Sequence, residues 1–201
     1  VAVSYSGAII VSDTLNNRIQ VFGRDSAVAH TWGTEGDGPK QFRAPMGLAM
    51  VDNLTVAVAD SGNNRVQVLR IDSGEHVLTV GGADTLKGPR GLAVDSDGRF
   101  YVADTGNNRI QVFEADGKHS RTITANSVGT VEFKGPSDVA LDSYRRIYVA
   151  DTDNHRILAV REDGLERHLA IGHCGSAGAG LDSLNCPTSV AVDSKGRIIV
   201  A

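Results

Sequence analysis

The sequence predicts an all-β chain built as a β-propeller of four-stranded antiparallel blades, four complete and half of a fifth, and three observations predict it. First, a string of related residues recurs four times: VSDTLNNRIQVF at 11–22, VADSGNNRVQVL at 58–69, VADTGNNRIQVF at 102–113 and VADTDNHRILAV at 149–160. Its aspartates Asp13, Asp60, Asp104 and Asp151 are spaced by 47, 44 and 47 residues, a period that marks a repeat architecture. Second, the apolar residues around each string alternate with a period of two or form short runs bounded by turn residues, and no helical period is present. Third, each period holds four such runs, the grouping of a propeller blade rather than of a sandwich or a solenoid.

The elements follow in order. Residues 1–6 form a first strand that Gly7 turns into 8–12, with 18–22 third and 27–32 fourth, ending at Gly33. The second set is 47–51, 55–59, 65–71 and 76–80; the third is 91–95, 99–103, 109–114 and 121–124. The fourth is 138–142, 146–150, 156–161 and 168–171, and 190–193 with 197–201 begin a fifth. The blades therefore span about 1–33, 47–81, 91–125 and 138–172, with part of another at 190–201, in one domain covering 1–201. The Gly- and Pro-bearing stretches between them read as linking loops, the longest at 172–187. Each set opens on small apolar residues such as Leu92-Ala93-Val94, which suits an innermost strand covered on both sides near a crowded axis.

Inside the repeated string the polar residues mark a hairpin turn. Asn and Gly accept left-handed backbone angles, and an Asp side chain bonds nearby N–H groups. An arginine follows each turn at the same place and reaches back to the aspartate as a charge-assisted donor. The predicted turn lock is thus Asp13, Asn17 and Arg18; Asp60, Asn64 and Arg65; Asp104, Asn108 and Arg109; Asp151, Asn154 and Arg156. A group present in every blade is read as structural rather than catalytic.

The charge balance is −4 with 22% charged residues, so no global basic field draws in nucleic acid or an anionic membrane. No apolar run approaches the roughly 20 residues of a membrane span, and no membrane insertion is expected. The first and last residues share one phase of the repeat, which predicts a piece of a longer repeat domain. Cys174 and Cys186 lie in one Gly-rich loop, placed either to form a loop-stapling disulfide or to stay as thiols. The compartment is left open by the sequence. Asp95-Ser96-Asp97-Gly98 begins like a calcium loop, but its glycine comes too early and no closing Glu follows, so it reads as a hairpin turn. His30, His76, His119 and His168 fall at or near the start of outer strands without ligand spacing, and neither a metal nor another cofactor is expected.

Together, a Pro-x-x-apolar-Ala-apolar-Asp strand followed by Tyr-Val-Ala-Asp-Thr-x-Asn-x-Arg-Ile resembles the NHL repeat, most clearly at 45–69, 89–113 and 136–160. The first repeat departs from the pattern, with Ser4 where the others carry Asp52, Asp95, Asp142 and Asp193. The resemblance implies a propeller of about six blades, so self-association through open blade edges is a further expectation. It also implies a non-enzymatic binding platform for a protein or peptide partner. Function is then sought where the copies differ, on the face carrying the motif turns. The candidate contact residues there are Trp32, Phe42, Arg43, Lys87, Arg90, Phe133, Lys134, Asp153 and His155, with Trp32 and Phe42 read equally as core residues. RNA is the alternative partner: Lys40, Lys87 and Lys134 recur at one spacing and Arg43 and Arg90 at the same spacing, as a basic strip, although the linking loops balance five cations against six anions. A lyase or hydrolase-like enzyme with a metal on the axis is the second alternative, and the inner strands offer it no histidine.

Overall fold

The computed structural model describes residues 1–124, 132–161, 169–172, 178 and 183–201. The first sheet orders β1 (Ala2–Val3), β2 (Ile9–Asp13), β3 (Arg18–Phe22) and β4 (Val28–Trp32) as antiparallel neighbours. A short parallel pair follows, β5 (Thr34–Glu35) with β6 (Gln41–Phe42), inside what the sequence reads as loop. The second sheet is β7 (Pro45–Met50), β8 (Thr55–Asp60), β9 (Arg65–Arg70) and β10 (His76–Val80). The third is β11 (Leu92–Val94), β12 (Phe100–Asp104), β13 (Arg109–Phe113) and β14 (His119–Ile123). The fourth is β15 (Pro136–Leu141), β16 (Arg146–Asp151), β17 (Arg156–Arg161) and β18 (Leu169–Ile171), and β19 (Val190–Val192) pairs with β20 (Ile198–Val200) as a half blade.

The first strands β1, β7, β11, β15 and β19 neighbour one another in sequence, which places the axis beside them. The cores lie between consecutive sheets. Along β8, Val56 and Val58 pack toward the first blade while Ala57 and Ala59 pack toward the third. Along β12, Phe100 and Val102 face the second blade while Tyr101 and Ala103 face the fourth. The period of two is thus retained, but both faces are dry, so alternate residues of one strand serve two different inter-blade cores.

The burial order differs from the sequence expectation. In the second, third and fourth blades the middle strands are the most buried, with Val56 to Asp60 all buried, whereas Leu48, Ala49 and Met50 of β7 are only half-buried. The inner strands border an open axial cavity on one side, so small apolar residues there fit close approach without full exclusion of water. Among the described residues, no helix is long and apolar enough to cross a membrane.

Candidate functional site

The site begins with the turn between the second and third strands of each blade. A single 3-10 turn closes it, and the next residue enters the left-handed region: Asn17 (φ 52°), Asn64 (φ 55°), Asn108 (φ 54°) and His155 (φ 54°). Asparagine is the side chain other than glycine that most readily accepts this conformation. His155 is therefore the partner of the second asparagine in the other turns, and Asn154 matches Asn16, Asn63 and Asn107. This corrects the predicted grouping of Asn154 with Asn17, Asn64 and Asn108: the two adjacent positions do different things.

The first asparagine holds the aspartate. Nδ2 of Asn16, Asn63, Asn107 and Asn154 donates to Asp13, Asp60, Asp104 and Asp151 at 2.9, 2.9, 3.0 and 2.8 Å. Nε of Arg18, Arg65, Arg109 and Arg156 donates to the same carboxylates at 2.7, 2.8, 2.7 and 2.7 Å. In three blades the other carboxylate oxygen reaches out of the turn to the incoming linker. The backbone N–H groups of Arg43, Lys87 and Lys134 donate to Oδ1 of Asp60, Asp104 and Asp151, each at 2.7 Å. The C=O groups of those linker residues accept from Gly62, Gly106 and Asp153 at 2.7, 2.9 and 3.1 Å.

The second asparagine pins the next linker residue to the preceding blade. Ala44, Gly88 and Gly135 donate to Oδ1 of Asn17, Asn64 and Asn108, each at 2.8 Å. In the fourth turn His155 performs this task with Nδ1, which accepts from Cys186 N–H at 3.0 Å. Consecutive linker residues are thus fastened to two neighbouring blades, and the chemical exception at His155 keeps the same geometry.

The pinned residues correct the alignment of cations. Arg43, Lys87 and Lys134 are structurally equivalent, because each linker is anchored on the turn that follows it rather than the one before. Lys40 lies elsewhere on the loop, its N–H bonded to Gln67 Oε1 at 3.1 Å, and Arg90 follows Pro89 toward the axis. Arg43, Lys87, Arg90 and Lys134 are exposed, as is Asp153 in the fourth turn.

The aromatic candidates are placed differently. Trp32 (6% exposed), Phe42 (0%) and Phe133 (2%) are core residues, Trp32 and Phe42 between the first two blades and Phe133 between the third and fourth. They fill the space where the apolar faces of neighbouring blades converge, Trp32 against the turn at Gly74, and so are packed inside the blades rather than offered on the face. Cys186 is exposed with a free thiol, Sγ 3.5 Å from His155 Nδ1, while Cys174 lies outside the described residues, as does His168.

Beneath the rim, the starts of the inner strands enclose an axial cavity of about 320 Å³, lined among others by Leu48, Arg90, Leu92, Asp138 and Ser189. Sequence reasoning missed Asp138 as a site residue, counting it only as loop charge. Its Oδ2 accepts from Ser189 Oγ at 2.8 Å and Val190 N–H at 3.1 Å, and its Oδ1 from Val139 N–H at 2.9 Å. Burial pushes the Asp138 carboxyl above the ordinary range, and these donors offset part of that rise. Gly91 makes room for it, since a Cβ there would lie 2.1 Å from Asp138 Oδ1. The available signal was positional: Asp138 stands where the other blades carry Gly47, Gly91 and Ser189.

The opposite face has its own locks. Asp95, Asp142 and Asp193 close the hairpin between the first two strands and pair with Arg99, Arg146 and Arg197, four residues on. The turn at Asp95 is the hairpin the sequence suggested, with Gly98 at φ 81°. Among the described residues no group of three or more His, Cys, Asp or Glu side chains is placed to hold a metal ion.

The repeats and the fold resemble those of known proteins. The NHL repeat model matches residues 42–69, 86–113 and 133–159. Peptidylglycine alpha-amidating monooxygenase of Rattus norvegicus is 38% identical over 78 residues, 36% of this chain and 8% of that protein. E3 ubiquitin-protein ligase NHLRC1 of Homo sapiens is 26% identical over 81 residues, 40% of this chain and 20% of that protein. The chain thus spans a small part of either relative. The structure of virginiamycin B lyase from Staphylococcus aureus superposes with a TM-score of 0.72 at 17% identity, over 100% of this chain and 61% of that one, a likeness of fold alone. The chain therefore carries NHL repeats, the matched ones forming the second, third and fourth blades of a β-propeller.

Proposed function

We propose that this propeller is a non-enzymatic platform that binds a protein or peptide segment across the face carrying the motif turns. One observation carries the reading. At Arg43, Lys87 and Lys134 the backbone is held on both its N–H and its C=O, while the side chain is left exposed. A side chain on a fixed backbone loses less freedom on binding than one on a loose loop, so the face is preorganised for contact. The ubiquitin-ligase relative, named for acting on proteins, agrees in kind with a protein partner. The enzyme alternative draws little support from the described residues: among them the axial cavity gathers one carboxylate already held by three donors, and no histidine lines it.

The test is selection of peptides from a random display library on the purified chain, followed by photo-crosslinking of the selected peptides. Cross-links concentrated on the linkers at 34–45 and 81–90 are expected. Failure to select any peptide, or cross-links confined to the hairpin turns at Tyr5 and Tyr144, would overturn the reading.

A further inference from the structure

The ion pairs of this chain sort its cations by place. Away from the linkers, most of the described arginines are ion-paired: Arg70 with Asp72, Arg99 with Asp95, Arg145 with Asp97, Arg146 with Asp142 and Arg197 with Asp193, besides the four motif arginines, while Arg24 donates to the Ser6 C=O at 2.8 Å. Lys118 pairs with Asp116. Among the described residues, the linker cations Lys40, Arg43, Lys87, Arg90 and Lys134 have no carboxylate within ion-pair distance, and all are exposed. Lys195 on the opposite face is the exception among the described lysines. A chain that pairs most of its other cations leaves these open on a face where the linker backbone is held at both N–H and C=O.

We infer that the segment bound on this face is an acidic peptide, its carboxylates meeting Arg43, Lys87 and Lys134 one blade apart. The inference rests on the platform reading above and names its partner's chemistry. Two observations favour spaced carboxylates over a nucleic acid. Exposed Glu35, Asp37, Asp84, Glu132 and Asp153 stand among the cations, so a backbone carrying a phosphate at every step would meet repulsion between favourable contacts. Single-stranded RNA also needs exposed rings on which bases stack. Here Trp32, Phe42 and Phe133 are buried, and the exposed tyrosines Tyr5 and Tyr144 sit on hairpin turns at the opposite end of the blades. A peptide that places acidic side chains at intervals, with neutral residues between, fits the mixed pattern. Asp138 in the axial cavity repels a carboxylate that enters it, which keeps the acidic groups at the rim.

The experiment is fluorescence anisotropy on the full chain with a labelled peptide carrying Glu at every third residue, its Gln counterpart, and an oligouridine of equal length. The Glu peptide is expected to bind at least about tenfold more tightly than the Gln peptide, the scale of a few exposed ion pairs acting together. Arg43→Gln/Lys87→Gln/Lys134→Gln is expected to remove that preference with an unchanged Tm, while Lys195→Gln leaves it intact. Equal affinity for the Glu and Gln peptides would overturn the acidic assignment and leave the platform reading standing. Tighter binding of oligouridine, with displacement of the peptide, would overturn it in favour of nucleic acid. If neither these peptides nor any library peptide binds, the platform reading itself fails.

Discussion

Replacing Asp104 by Ala tests whether the repeated carboxylate holds the blades to their linkers or only ties its own turn. Three kinds of donor lose their acceptor: Lys87 N–H at 2.7 Å, Asn107 Nδ2 at 3.0 Å and Arg109 Nε at 2.7 Å. The Asp104 side chain is fully buried, and a hydrogen bond to such a charged group contributes about 1.5–3 kcal/mol net. The three do not add, because the Arg109 side chain is 28% exposed and keeps Thr85 C=O, so its guanidinium partly rehydrates. The expected loss is about 3 kcal/mol, below the top of the range for breaking a buried pair. For a chain of this size that is a fall in Tm of about 6–12 °C.

Asp13 provides the internal control. Among the described residues it accepts from Asn16, Arg18 and Gln20 but from no linker N–H, and its pair with Arg18 is more open to water. Asp13→Ala is therefore expected to give a clearly smaller fall in Tm than Asp104→Ala, Asp60→Ala or Asp151→Ala, measured by circular dichroism on heating. In a double-mutant cycle, Arg109→Ala should cost less in the Asp104→Ala background, with a coupling of at least about 0.5 kcal/mol. Equal shifts for Asp13 and Asp104, or strict additivity with Arg109, would refute the argument.

Three further expectations follow from the same geometry. His155→Asn should change stability by no more than about 0.5 kcal/mol, because asparagine keeps both the left-handed backbone and an acceptor for Cys186 N–H, while His155→Ala should cost about 1–2 kcal/mol by urea titration. Gly91→Ala should destabilise by about 3 kcal/mol or more, since its Cβ would lie 2.5 Å from Asp138 Cα and 2.8 Å from Ser137 O, backbone that cannot step aside. For pH, the carboxyl of Asp138 is raised, so the folded state binds its proton more tightly than the unfolded state. Its contribution is present at acid pH and is lost as pH rises through the raised value; Asp138→Asn should remove that downward slope in Tm against pH. Asp95 and Asp142 act oppositely: burial raises each, but N–H and guanidinium donors from Arg99 and Arg146 outweigh it and hold both below the ordinary range. Their contribution is present above about pH 4 and is lost as pH falls further, an acid-side limb that Asp138→Asn leaves in place.

How much of this was legible in the sequence depended on whether a feature is local to one repeat. The strands β3, β10 and β17 begin and end where the alternation places them, because a period of two between turn residues is a property of a few neighbours. The reach of each arginine to its aspartate lies within five residues and is equally local. What was hidden runs between repeats. Matching cations by distance from the previous motif pairs Lys40 with Lys87, whereas the fold anchors each linker on the following turn and so pairs Arg43 with Lys87. Phe133 looked like a surface anchor because it stands in a polar loop, yet the space it fills exists only once two blades converge. Asp138 was invisible as a cavity-lining group for the same reason, since Ser189, its hydroxyl donor, is 51 residues away.

The clamp and the cations also separate two demands that usually compete on a binding face. Asp60, Asp104 and Asp151 hold the backbone of Arg43, Lys87 and Lys134 and make no use of their side chains. Stability is therefore set by the aspartate, the asparagines and the arginine, which recur, while recognition is left to the linker side chain, which can change without disturbing any of them. A blade in which the linker residue were acidic or apolar would fold by the same hydrogen bonds and present a different chemistry to the same partner face. On this account the repeated string and the variable linker are two halves of one device: the string fixes the position at which a side chain is offered, and the linker residue determines what is offered there.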